Sequence, residues 1–258
     1  ELESVWSIAR DITQQKKTEE ELRRLNESLM ASNKELEQFA YVASHDLQEP
    51  LRMVASYTQL LAQRYEGQID EKADKYINYA VDGARRMQRL INDLLTFSRV
   101  GTRGRPFEPT NLGGVVSQAL RNLQKSIEEQ SAEIVVHELP TIYADETQMI
   151  QVFQNLISNS IKFHGDTPPR VEVTAEQKGD NWEIMIADNG IGIAPEFHER
   201  IFVIFQRLHE RGKYDGTGIG LALVKKIVER HGGSIRLESA GGHGTKVFLT
   251  LPTLEASQ

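Results

Sequence analysis

Apolar positions along the first hundred residues repeat with helical rather than strand spacing. Thr18 to about Ala43 contains no Gly or Pro, and Leu22, Leu25, Leu29, Leu36 and Phe39 follow the spacing of a coiled-coil seam interrupted by Ser32. The stripe runs on through Ala43, Leu47, Leu51, Val54, Thr58 and Leu61, where successive steps of four act as a stutter that unwinds the supercoil locally. Gly67 breaks it. A second stripe, Tyr76, Ala80, Gly83, Met87, Leu90, Leu94 and Phe97, stops at Gly101-Thr102-Arg103-Gly104-Arg105-Pro106. Two long helices joined by a short loop form an antiparallel hairpin, and two such hairpins form a four-helix bundle, so the pattern predicts an all-α homodimer.

Ahead of these helices, residues 4–13 alternate loosely enough to predict a short strand, followed by a charged coiled-coil helix over 14–40. The Gly/Pro/Arg stretch over 101–110 reads as a linker between domains. Beyond it the pattern predicts helix 112–130, strand 133–138, helix 146–163, strands 171–176 and 182–187, helix 220–231, and strands 234–238 and 245–251. Helices interspersed with hairpin-like strands predict an α/β sandwich with a mixed sheet over 111–254, ahead of a tail at 255–258.

Composition narrows the classes without naming one. The 258 residues, 39% apolar and 26% charged, suit ordinary globular domains. A formal net charge of -7, with basic residues scattered among acids, argues against nucleic-acid binding. The absence of Cys removes thiolate chemistry and fits a reducing, cytoplasmic setting. No apolar run is long enough to predict a membrane span, and the acidic Glu1-Leu2-Glu3 start is unlike a signal peptide, so the chain reads as a piece of a longer protein.

The candidate chemistry begins at Ser44-His45-Asp46-Leu47-Gln48-Glu49-Pro50. His45 lies two residues from both Ala43 and Leu47, about 200° around a helix from each, so it faces outward beside an acid able to orient its ring. Downstream, Asn155, Asn159 and Lys162 share a helical face. Two amides and an ammonium suit magnesium-bound phosphate, although polar residues can equally mark the wet side of a helix. Asp188-Asn189-Gly190-Ile191-Gly192 follows an apolar strand. The carboxylate can accept from an exocyclic amine such as that of adenine while the glycines let backbone approach the base; a plain hairpin turn is the alternative. Phe202 and Phe205 are expected to pack beneath a loop. Gly216-Thr217-Gly218-Ile219-Gly220 runs into a helix whose N-terminus can receive phosphate, whereas Gly241 to Thr245 reads as a turn. The remaining histidines have no metal-ligand spacing and are expected to be structural or surface residues.

In this order the segments resemble the N, G1, F, G2 and G3 boxes of sensor histidine kinases, and the stretch around His45 is similar to their H box. The likeness covers roughly residues 35 to 252 and looks most like phytochrome-type and PAS-containing kinases. Asp11-Ile12-Thr13 also resembles the exit of a PAS sensor domain, which would place the end of a truncated one at 1–13. The resemblance implies a phosphotransfer and dimerisation hairpin over 41–100, followed by a Bergerat-type ATP-binding domain of the GHKL superfamily. It further implies ATP and Mg²⁺ as ligands, the metal being held by Asn155 and Asn159. Phe163, Ile193, Arg207, Leu221 and Thr245 would join the cradle, under a lid over 206–216. His45 would be the phosphoacceptor and Asp46 the base that orients it. The phosphoryl group would then pass to an aspartate of a response-regulator receiver domain. GHKL enzymes that hydrolyse ATP carry a Glu four residues before the metal-binding Asn; here that position is Asn155, whose amide accepts no proton at neutral pH, which argues against an ATPase. The intact boxes argue against a degenerate kinase serving as a scaffold. Glu49 stands where many relatives carry Thr or Asn, and its carboxylate would repel an incoming phosphoaspartate, which disfavours phosphatase activity.

Overall fold

The computed structural model describes residues 2–102, 104–206, 208 and 216–253. Helix α1 runs unbroken from Leu2 to Tyr65 with Pro50 inside it. Residues 4–13 are therefore helical, correcting the expected strand. A strand must find backbone partners on another segment, whereas a helix without Gly or Pro satisfies its own. The turn after α1 uses Gly67 at φ 71°, its amide held by the Asp74 carboxylate at 3.0 Å, and Asp70 caps α2 (Glu71–Thr102) by accepting from the Ala73 amide at 2.7 Å.

The hairpin seam is narrower than the predicted stripes. Leu51 and Ala55 of α1 are buried, as are Val81, Ala84 and Leu95 of α2, and Gln48 donates to Asn92 across the pair at 2.9 Å. Leu47, Val54 and Leu61, together with Tyr76 and Met87 from the second predicted stripe, are exposed on the single chain. Each helix thus carries a seam for its partner within the hairpin and a further apolar set that the hairpin leaves uncovered.

Strand β1 (Glu108–Asn111) follows almost at once and pairs antiparallel with β3 (Thr141–Ala144), so the linker is shorter than the 101–110 expected. Helix α3 (Leu112–Glu129) is capped by the Asn111 side chain on the Gly114 amide, and α4 (Glu146–Lys162) by Asp145 on the Gln148 amide. The remaining elements are β2 (Glu133–Val136), β4 (Arg170–Lys178), β5 (Asn181–Asp188), α5 (Gly220–Arg230), β6 (Ser234–Ser239) and β7 (Thr245–Pro252). They give a mixed sheet in the order β2-β4-β5-β7-β6, in which only β2 and β4 run parallel. Strand β2 ends at Val136, two residues short of expectation. Alternate residues Ile184 and Ile186 of β5 enter a core with Phe153, Ile157, Ile227 and Leu249. Truncating one of these to Ala would cost about 2–5 kcal/mol.

The join between hairpin and sandwich is clamped. Arg230 at the end of α5 donates to the Asp145 carboxylate at 3.3 Å, to the Gln148 amide oxygen at 2.7 Å and to the Arg105 carbonyl at 3.0 Å. Gln148 in turn donates to the Val100 carbonyl near the end of α2. The Phe107 ring stacks on buried His231, whose Nε2 accepts from the Asp145 amide at 3.0 Å while its Nδ1 donates to the Ile227 carbonyl.

Candidate active site

His45 points outward, as expected: its side chain is 65% exposed, and Nδ1 lies 3.1 Å from the Asp46 carboxylate. A proton on Nδ1 shared with Asp46 leaves the Nε2 lone pair free. Glu49, one turn further along, is also exposed.

Helix α4, the end of β5, the loop after it, the glycine loop before α5 and the first turns of α5 line a cavity of about 370 Å³. Its wall includes Asn155, Asn159, Lys162 and Phe163 from α4. Asp188, Gly192 and Ile193 come from the end of β5, Gly216 to Leu221 from the glycine loop, and Thr245 from β7. Gly190 is not on that wall. Its amide instead bonds Asp188 Oδ1, and its carbonyl accepts from Gly244. The amide of Asn155 is oriented by donating to the Gln151 carbonyl at 2.9 Å, so its Oδ1 faces the glycine loop. A Cβ on Gly220 would lie 2.9 Å from that oxygen, and one on Gly216 would lie 2.9 Å from Lys162 Nζ. Glycine at both positions lets the loop approach α4. The set of amides, ammonium and helix N-terminus fits a magnesium-bound polyphosphate.

Asp188 sits apart from the glycine loop. Its Oδ1 accepts from the Gly190 and Thr245 amides, and its Oδ2 from the Ser160 hydroxyl at 3.0 Å. Burial pushes its carboxyl above the usual range, and those hydrogen bonds partly oppose the shift. Because Oδ2 keeps a lone pair, the carboxylate can still accept from a base amine.

The two phenylalanines differ. Phe202 does line the cavity, but Phe205 is 53% exposed, with φ 65°, and packs beneath nothing described. Its backbone turns outward where its amide bonds the Gly218 carbonyl. Arg207 and residues 209–215 of the expected lid lie outside the described residues. The turn at 241–244 is a hairpin between β6 and β7, as predicted. Sequence reasoning missed Arg89 and Asp93 of α2, which line the same cavity, Asp93 accepting from the Thr217 hydroxyl at 2.6 Å. No motif marks either residue, and Asp93 and Thr217 are 124 positions apart.

With this geometry in place, family models match in two places. Residues 35–103 fit the His Kinase A (phospho-acceptor) domain, and residues 144–255 fit the Histidine kinase-, DNA gyrase B-, and HSP90-like ATPase. The chain belongs to the sensor histidine kinases. This histidine kinase chain is 50% identical over 233 residues to the Phytochrome-like protein Cph1 of a Synechocystis species, covering 90% of the chain and 31% of that protein. It is 49% identical to Cyanobacterial phytochrome A of a Nostoc species, covering 90% and 30% respectively. It thus spans about a third of the length of these relatives. Among solved structures, full-length ShkA in complex with AMPPNP superposes with a TM-score of 0.65 at 26% identity, covering 85% of this chain and 47% of that one. The helical hairpin followed by an α/β ATP-binding domain is accordingly the fold of this family, and the second domain is an ATP-binding one. Among the described residues no helix is long and apolar enough to cross a membrane.

Proposed function

We propose that this chain transfers the γ-phosphoryl group of Mg-ATP to His45 and then passes it to an aspartate of a response-regulator receiver domain. It would act as a cytoplasmic homodimer under a PAS-like sensor upstream. The observation that carries the reading is the pairing, in one chain, of an exposed histidine held at Nδ1 by a carboxylate with a cavity built from amide, ammonium and glycine-loop donors. The nucleotide analogue named for ShkA supports ATP as the ligand.

Asn155 and Asn159 would hold the metal, which supplies charge neutralisation at the phosphates when bound. Asp188 takes the base amine, and Lys162 with the amides of 216–220 takes the phosphates. Asp46 keeps the Nδ1 proton and stabilises the cationic ring that forms. The His45 Nε2 lone pair bonds to the γ-phosphorus as its bond to the β,γ-bridging oxygen breaks and ADP leaves. Catalysis is mainly positioning, so docking of the ATP domain on the hairpin is the controllable step. With Asn155 in place of a base, water is not activated and hydrolysis is slow. Exposed Glu49 gives the reverse reaction no neutral donor, which disfavours phosphatase activity.

Incubation with γ-labelled ATP tests the reading. Acid-labile, base-stable label should appear on the protein and vanish in His45→Gln, while that variant keeps ATP affinity because an outward side chain contributes nothing to the cavity. Label persisting in the variant, or free phosphate as the main product, would overturn it.

A further inference from the structure

We propose that Asp93 of the hairpin is a positioning residue that latches the ATP domain onto α2 through Thr217, and that the terminal phosphate of ATP competes for the same hydroxyl and displaces it. The proposal rests on the nucleotide reading of the cavity and adds a hairpin residue to it. Thr217 belongs to the glycine loop, whose hydroxyl, amides and neighbouring Lys162 are all donors suited to phosphate oxygens, yet its hydroxyl is already committed to Asp93 Oδ2 at 2.6 Å. Among the described residues of the cavity wall the acids are Asp188 and Asp93. Asp188 is tied to Ser160, Gly190 and Thr245, at the end assigned to the base. Asp93 therefore places a carboxylate on the glycine loop, occupying a donor that a phosphate oxygen would use.

Burial raises the Asp93 carboxyl above its ordinary range, although the Thr217 bond and the nearby Arg89 guanidinium work against that, so the contact is held at an electrostatic cost. A second anion at hydrogen-bond distance from the same hydroxyl would repel Asp93, while Arg89 on the same wall would be drawn toward the phosphate. The latch also has a location suited to control. The Gln48–Asn92 bond sets this level of α2 opposite α1 about one helical turn from His45. Below it, Lys226 of α5 lies 4.4 Å from the Phe97 ring of α2, a second contact seating the domain on the hairpin. Displacing Asp93 frees the loaded domain to leave α2 and present the γ-phosphorus to His45.

The test compares the full chain with Asp93→Ala and Asp93→Asn, measuring affinity by calorimetry for Mg-ADP and for a non-hydrolysable Mg-ATP analogue, and the KM for ATP in autophosphorylation. If part of the analogue's binding energy breaks the latch, Asp93→Ala should bind it about tenfold tighter, with a matching fall in KM. Mg-ADP, lacking the displacing phosphate, should change by less than about twofold. Asp93→Asn, which keeps an acceptor but loses the charge, should move in the same direction by less. Unchanged ratios of analogue to ADP affinity in both variants, or weaker analogue binding in Asp93→Ala, would overturn the latch while leaving the nucleotide site standing. Failure of the unaltered chain to bind either nucleotide would instead sink the underlying reading, and the latch with it.

Discussion

At the scale of single residues, Asp188 separates binding from folding. Its side chain is spent on two loop amides and a hydroxyl that an amide oxygen could partly retain, but a base amine needs the remaining carboxylate lone pair. Asp188→Asn should weaken ATP at least about tenfold, the equivalent of one hydrogen bond to a charged acceptor, while shifting the melting temperature little. Calorimetric titration and thermal melts check both halves. Because burial raises this carboxyl, ATP affinity should also fall as pH drops through a value above the ordinary carboxylate range. Protonation there favours the folded state, so affinity is lost without this group loosening the fold. The box residues were legible because each combines a chemical type with a short spacing. Asp93, Arg230 and His231 were not, because their roles arise from partners up to 125 positions away and no local pattern encodes them.

Among the elements, the longer helices and strands were predicted, and the short pair β1 and β3 was missed. The repeats of α2, α4 and α5 placed them within a few residues, whereas β1 and β3 are four-residue strands whose only signal is each other. Residues 4–13 show the opposite error, a loose alternation with no sheet to receive it. The N-terminus of α4 carries more than a cap. Asp145 holds the Gln148 and Arg105 amides and the Arg230 guanidinium, so Asp145→Ala should destabilise the ATP domain by about 2 kcal/mol or more, beyond an ordinary cap, as read by urea denaturation. His231, packed among Asp145, Arg230 and Phe107, is held neutral chiefly by burial, which pushes its pKa below the usual value. An unfolded chain therefore takes up the proton first as pH falls. The stability that neutral His231 contributes is complete above about pH 6.5 and is lost below it. Melts between pH 7.5 and 5.5 should decline in the unaltered chain and flatten in His231→Gln.

For the whole molecule, the uncovered stripe on the hairpin sets the assembly. Leu47, Val54 and Leu61 lie on one line of α1 and are exposed in the single chain, so pairing with a second copy is the arrangement that removes them from water. Val54→Asp combined with Leu61→Asp should shift the protein from dimer to monomer in light scattering while leaving ATP affinity within about twofold, since neither residue lines the cavity. The single proline of α1 has a mechanical meaning. Pro50 cannot donate to the carbonyl of Asp46, so the long helix has its weakest rung beside His45. At about 1.5 Å per residue, the arm from Leu2 to Pro50 is roughly 70 Å long. A bend of about 5° at that rung sweeps the far end through about 6 Å. Run in reverse, the same arm is a reduction gear, turning a coarse push at its tip into a sub-ångström correction in the aim of the imidazole.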